Sequence, residues 1–331
     1  MKNQRKPAFS SPVRIRLSPL PMQLRSPRMK IFRRLHLLLA VLILVSPAWA
    51  ASIKDEVESV GDDKAEEVSR DLFEIKSSYV FESDLHRGGS FGDQYALSNS
   101  FSYGHRFLIS GHLYLNLGIS YDRFDFGATG APVPEHLQGV AGNIGFEYMH
   151  NNDIGAFFQV KPGFYTEDDF DSASFDAPIT LGRIFVLQPD KLYVFVGANA
   201  SFLRGQFPVI PLAGVIWMPT DKLRFLALLP EPRFIYSPGN KWDFWAGGQL
   251  IGGSFRTDRD KTIVPSKLSN AQVDYSEYRV GGGVIYSPSD AVTIDFGVGY
   301  ALQRKFEFYR ADMTFKTDGA PYLRLELSAK F

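Results

Sequence analysis

From Leu72 to Phe331 the apolar residues recur at every second position. Leu113, Leu115, Leu117, Ile119 and Tyr121 alternate with Tyr114, Asn116, Gly118 and Ser120. Val292, Ile294, Phe296, Val298 and Tyr300 alternate with Thr293, Asp295, Gly297, Gly299 and Ala301. Val280, Gly282, Val284 and Tyr286 do so against Arg279, Gly281, Gly283 and Ile285. A period of two is the mark of strands with one apolar and one small or polar face. A soluble sandwich turns the apolar face inward, whereas a membrane barrel turns it to lipid and leaves the polar face in its lumen. No stretch after residue 50 is long and apolar enough for a spanning helix, so a closed barrel is the form in which this chain could cross a bilayer with its backbone satisfied.

Turn residues divide the pattern into strands at 72–81, 94–103, 107–124, 138–149, 154–165, 175–187, 192–203, 208–218, 223–229, 232–237, 242–255, 272–286, 291–304 and 320–331, fourteen in all. An even count leaves both chain termini on the periplasmic side. The short turns expected are Tyr103–Arg106, Asn151–Asp153, Pro189–Lys191, Pro219–Lys222, Ser237–Lys241 and Ser287–Asp290. Most of the intervening connections are longer and polar, as in Asp125–Leu137, Thr166–Ser174, Arg256–Ala271 and Lys305–Gly319. Short turns on one side and long loops on the other follow the outer-membrane pattern. In Leu228-Leu229-Pro230-Glu231-Pro232-Arg233 two prolines cannot donate ladder hydrogen bonds, so the ninth and tenth strands should be short or bent. Twelve strands is the alternative count. The expected fold is an all-β, antiparallel up-and-down transmembrane barrel over residues 72–331.

The last strand runs Tyr322-Leu323-Arg324-Leu325-Glu326-Leu327 to a terminal Phe331. It resembles the C-terminal assembly signal of bacterial outer-membrane proteins, which implies the barrel-assembly machinery and outer-membrane lipids as partners. The segment from Leu228 through Tyr236-Ser237-Pro238 to Trp245-Ala246-Gly247-Gly248 is similar to an element of an uncharacterised outer-membrane barrel family, which adds to the fold expectation and implies no chemistry.

Upstream, Lys30, Arg33 and Arg34 precede the uncharged run Leu37–Val45, then Ser46-Pro47 and the small-x-small triplet Ala48-Trp49-Ala50. That order is a secretory signal peptide over residues 29–50. The mature protein is expected to begin at Ala51, and an intact mass that still included Leu37–Val45 would contradict this. Residues 1–28 read as an upstream or misassigned extension. Residues 51–71, acidic and poor in apolar side chains, read as a flexible periplasmic tail.

The formal charge of the whole chain is zero, but ten of its 36 basic and none of its 36 acidic residues fall within 1–50, leaving residues 51–331 at −10. A net-acidic body argues against nucleic acid as a partner. The absence of cysteine excludes disulfides and thiolate metal sites.

Candidate chemistry is sparse. Ser110 and His112 share a parity on the expected third strand, without the motif of a lipid-modifying barrel enzyme around them. The acidic run Glu167, Asp168, Asp169, Asp171 and Asp176 lacks the ligand spacing of a calcium loop. Gly281–Gly283, Gly252-Gly253 and Gly297-x-Gly299 have no following helix to make a phosphate loop. No catalytic residue, metal or cofactor is expected. The expected lumen-lining residues are Glu147, Arg224, Arg233, Arg279, Asp295, Arg324 and Glu326. Charges of both signs there either cross-link the barrel or line a selective pore. Arginine leads by one, which would give a conducting pore a weak preference for anions. The expected role is a pore or binding barrel for small polar solutes. The alternatives are a closed structural or surface-interaction barrel and, less favoured, an outer-membrane lipid-modifying enzyme.

Overall fold

The computed structural model describes residues 70–150 and 153–331. The proposed signal peptide with Ala48, Ala50 and Ala51, the extension before it, and the acidic tail up to residue 69 lie outside the described residues.

Fourteen strands follow one another: β1 Asp71–His86, β2 Ser90–Ser110, β3 Leu113–Phe126, β4 His136–His150, β5 Asp153–Val160 continued as Gly163–Thr166, β6 Phe175–Asp176 continued as Ile179–Gln188, and β7 Leu192–Ala200. The second half is β8 Val209–Thr220, β9 Leu223–Ala227, β10 Arg233–Tyr236, β11 Trp242–Arg256, β12 Gln272–Ser289, β13 Val292–Phe308, and β14 Met313–Thr317 continued as Ala320–Lys330. Each pairs antiparallel with its chain neighbours. The last strand closes on the first, from Leu72 opposite Lys330 to Val80 opposite Tyr322. Phe331 adds a reciprocal backbone pair with Asp71 at 2.9 and 3.0 Å. This is a closed antiparallel barrel.

Exposure follows the sequence period. Buried and exposed residues alternate without a break from Ala320 to Leu327 and from Val209 to Ile216. The exposed face is the apolar one: Ile119 is 55% exposed, Leu302 53%, and Trp217, Phe296 and Leu325 50% each. This inverts a soluble barrel, which buries such side chains and wets its charges. Leu323, Leu325 and Leu327 belong to the outer face, Tyr322 points in, and Phe331 is 69% exposed at the seam. Because β14 must pair with β1 to leave no edge, deletion of Phe331 is expected to lower the yield of heat-modifiable, membrane-inserted protein. Unchanged yield would remove the assembly role given to it.

Three expectations need correction. Tyr103–Arg106 is no turn but the middle of β2, where Gly104 faces Gly118 so closely that a Cβ on Gly118 would lie 2.2 Å from the Tyr103 carbonyl oxygen. The turn comes at Gly111-His112, with Gly111 at φ +56°, in the left-handed region that suits glycine. Ser110 and His112 therefore share no strand, and both are exposed. The connection after β13 is the short turn Tyr309–Asp312, because β14 starts at Met313 and not at Ala320. The two-proline segment does leave β9 and β10 with only five and four residues.

The turns at the end that holds the chain termini are all short, and the longer connections lie at the other, the loop end, together with the short turns Arg87–Gly89 and Tyr309–Asp312. There the tip of β5 meets the tip of β11 directly: Thr166 opposes Arg256, and the Glu167 N–H donates to the Arg256 carbonyl at 2.9 Å. The strands between them, β6 to β10, are bypassed at that level.

Candidate functional site

The inward face of β12 and β13 carries glycine at 281, 283, 297 and 299, where added Cβ atoms would strike Trp245, Tyr322 and Arg324 at 2.5–2.8 Å. Glycine here opens a trench in the wall, and large side chains from β11 and β14 occupy it. The glycine runs are packing devices.

Over this trench sits a lattice of buried charge. Asp295 accepts from Arg233 and Arg324 at 2.9 Å each and from the Trp245 indole at 2.7 Å. Arg233 also pairs with Glu231, and Arg324 with Glu326. Glu231 reaches Arg324 at 3.5 Å and accepts from Gln249 at 2.7 Å. Lys76 bridges Glu74 at 3.0 Å and Glu326 at 3.9 Å. The guanidinium carbons of Arg233 and Arg324 lie 4.4 and 5.3 Å from the Trp245 ring centre. Buried ions persist only when paired and hydrogen-bonded, and these meet both conditions.

The other expected lumen residues are also paired. Arg279 donates to Glu277 at 2.6 Å and to Ser78 at 2.8 Å, with Tyr275 donating to the same carboxylate at 2.8 Å. Glu147 meets Arg106 at 3.0 Å and Asn116. Arg224 meets Asp243 at 2.6 Å near the turn end. Thus all seven expected residues face the interior, but they are distributed. Arg233, Asp295, Arg324 and Glu326 come together, while Arg279, Glu147 and Arg224 each join separate partners.

Apolar clusters occupy the interior beyond the lattice. At the loop end Phe126, Leu268, Phe306, Phe308 and Phe315 pack together, and at the turn end Tyr193, Phe195, Ile216, Ile235 and Ile285 do so with Trp245. Between them lie two adjoining cavities that share Asp122 and Phe124. One is bordered by Lys76, Ser78, Ser100 and Arg279. The other, about 80 Å³, is bordered by Lys161, Tyr165, Asp176, Asn199, Arg204 and the Gly252–Phe255 edge of β11. Its charges are balanced, Lys161 and Arg204 against Asp122 and Asp176, and engaged: Arg204 donates to Asn199 at 2.6 Å, and Asp176 accepts from Ser201 at 2.6 Å and from the backbone N–H groups of Ala177, Phe202 and Leu203.

The acidic loop after β5 is used up in loop ties. Asp258 accepts from the N–H groups of Asp168 and Asp169 at 3.1 and 2.9 Å, and Glu167 accepts from the Asp258 N–H at 3.0 Å. Burial pushes the Glu167 carboxyl above the usual range against that bond. Asp168 pairs with His136 at 2.7 Å.

Sequence reading missed Glu231, Trp245, Lys161 and Arg204. Parity could have found Lys76 and Asp122, which share their faces with Ser78 and Ser120. Nothing in parity marks a carboxylate between two prolines.

No family model and no curated protein matches the chain. Solved structures similar to it include the Pseudomonas putida toluene transporter TodX, at 11% identity and TM-score 0.38 over 88% of this chain and 94% of that one. The translocator domain of autotransporter NalP from Neisseria meningitidis matches at 10% identity and TM-score 0.34 over 86% and 96%. Values at this level transfer neither family nor function, and the fold rests on the chain's own closed strand pairing.

Proposed function

We propose that the protein is a bacterial outer-membrane barrel that holds a solute in an interior chamber, and not a water-filled diffusion pore. The apolar outer face supports the membrane setting, with outer-membrane lipids as surroundings and the barrel-assembly machinery as the partner of β14. One observation carries the choice against a pore: the inward charges satisfy one another across the barrel, from Arg233 and Arg324 through Asp295 to Trp245. Paired charges cross-link a lumen, whereas pore charges must stay available to the permeating ion. Above the lattice the chamber joins aromatic walls to a few polar groups, which is the usual make-up of a small-molecule site.

This reading includes no catalytic step; Ser110 ends β2, and His112 sits in the turn that follows it. A closed surface-interaction barrel is the second reading, favoured by the loop ties around Asp258 that rigidify the loop end. Swelling of proteoliposomes in arabinose tests the proposal. Rates equal to those of protein-free liposomes are expected, and rapid swelling would overturn it.

A further inference from the structure

The outer wall of β6 and β7 is apolar except at one position. Leu181 is 50% exposed and Leu187 59%, and Phe185 and Val196 are exposed beside them. Arg183 shares their face, exposed between Leu181 and Phe185 and opposite Val196. Among the described residues it has no ion pair; its guanidinium carbon lies 5.0 Å from the ring centre of Phe185. Arg123 makes the contrast, since it stands on the outer face of β3 but pairs with Asp125 at 2.8 Å. No carboxylate is at hand for Arg183. β7 and β8 contain no acidic residue, β5 has Asp153 only at its start, and Asp176 of β6 points inward to Ser201.

Depth gives this arginine its weight. β6 ends at Gln188, five residues beyond Arg183, and β8 ends at Thr220, three beyond Trp217. With a rise of about 3.3 Å per residue and a strand tilt of about 40°, Arg183 stands about 13 Å above the turn end and Trp217 about 8 Å. Trp217, Tyr236 and Trp242 are exposed near that end and form the aromatic girdle that marks a membrane interface. Arg183 is thus rooted inside the apolar band, beyond the girdle. A charge on the lipid face costs stability according to its depth, and an ionisable residue there calls for a partner. Phe185 is two residues nearer the turn, so the guanidinium over its ring is bent towards the interface, as long cationic side chains bend towards headgroups.

We propose that Arg183 and the wall above it bind an anionic phospholipid of the leaflet at the turn end, with the phosphate on the guanidinium and an acyl chain along Leu181 and Val196. A guanidinium takes phosphate oxygens through paired, charge-assisted hydrogen bonds. An anionic headgroup such as phosphatidylglycerol leaves that pair unopposed, whereas choline brings a second cation to it. A second copy of the chain fits less well, because two such walls face to face would set Arg183 against Arg183 with no carboxylate between them. The proposal rests on the membrane setting given above and is independent of the chamber.

The absence of cysteine allows a direct test. Leu181→Cys above Arg183, and Phe296→Cys on the outer face of β13 between Val284 and Leu325, each receive one bimane fluorophore in phosphatidylcholine vesicles. Doxyl-labelled phosphatidylglycerol then replaces part of the lipid, in parallel with doxyl-labelled phosphatidylcholine. Half-quenching of the Leu181 label is expected at an about fivefold lower mole fraction of the glycerol lipid, the effect of about one positive charge at a membrane surface. The Phe296 label should respond equally to both lipids. Arg183→Gln, an exposed change, should abolish the difference at Leu181, and Arg183→Lys should restore most of it. A Leu181 label without preference, or a preference that survives Arg183→Gln, would overturn the site. A dimer in detergent that is lost in Arg183→Gln would overturn it as well, in favour of a second copy. Failure of the membrane setting looks different, since neither label would then be quenched by doxyl-phosphatidylcholine.

Discussion

Asp295→Ala is expected to destabilise the barrel by about 3 kcal/mol, read as a lower urea midpoint for unfolding from lipid vesicles. Asp295 is 1% exposed and accepts from two guanidinium groups and the Trp245 indole. Removing one partner of a buried pair costs about 3–5 kcal/mol because the remaining charge is left in low dielectric. The lower end applies here, since Glu231 and Glu326 still face Arg233 and Arg324. Asp295→Asn keeps an acceptor for the indole and should lose less. Equal losses for the two variants would mean that the charge, and not the indole bond, holds the lattice.

Gly283→Ala should cost as much or more, although it adds a single methyl group. A Cβ there would lie 2.2 Å from the Phe296 carbonyl oxygen and 2.6 Å from the Trp245 indole nitrogen. Neither the strand backbone nor a ring hydrogen-bonded to Asp295 can yield cheaply. Overpacking typically costs about 1–3 kcal/mol, and the backbone contact places this case at or above that upper end. Low recovery of the heat-modifiable form is the expected readout. The control is Gly239→Ala in a turn, where an added Cβ meets nothing within 4 Å. A Gly283→Ala barrel as stable as the parent would show that the trench is looser than its glycines imply.

The period of two revealed the outer and inner faces because lipid and lumen impose opposite demands on neighbouring residues. Arg279, Asp295 and Arg324 could be placed inside on that ground alone. Tyr103-Gly104-His105-Arg106 misled because its composition suits a turn, while the pairing of Gly104 with Gly118 carries β2 through it. The partners of the inward charges were not legible. Which carboxylate meets which guanidinium depends on the stagger of strands around the closed sheet, and that brings Glu231 on the β9–β10 connection beside Arg324 on β14. The chamber was hidden for a related reason: Lys161 sits at the break within β5 and Arg204 in a loop, where no periodicity assigns a side.

Single-channel recording of the purified protein in planar bilayers tests the central claim, a lumen cross-linked by its own charges, most directly. Insertion without steady ohmic current is the predicted result, at low and high salt alike. A stable open conductance whose reversal potential moves towards cations in Arg233→Ala and Arg279→Ala would contradict it, since those arginines would then be facing the permeating ion and not their partners.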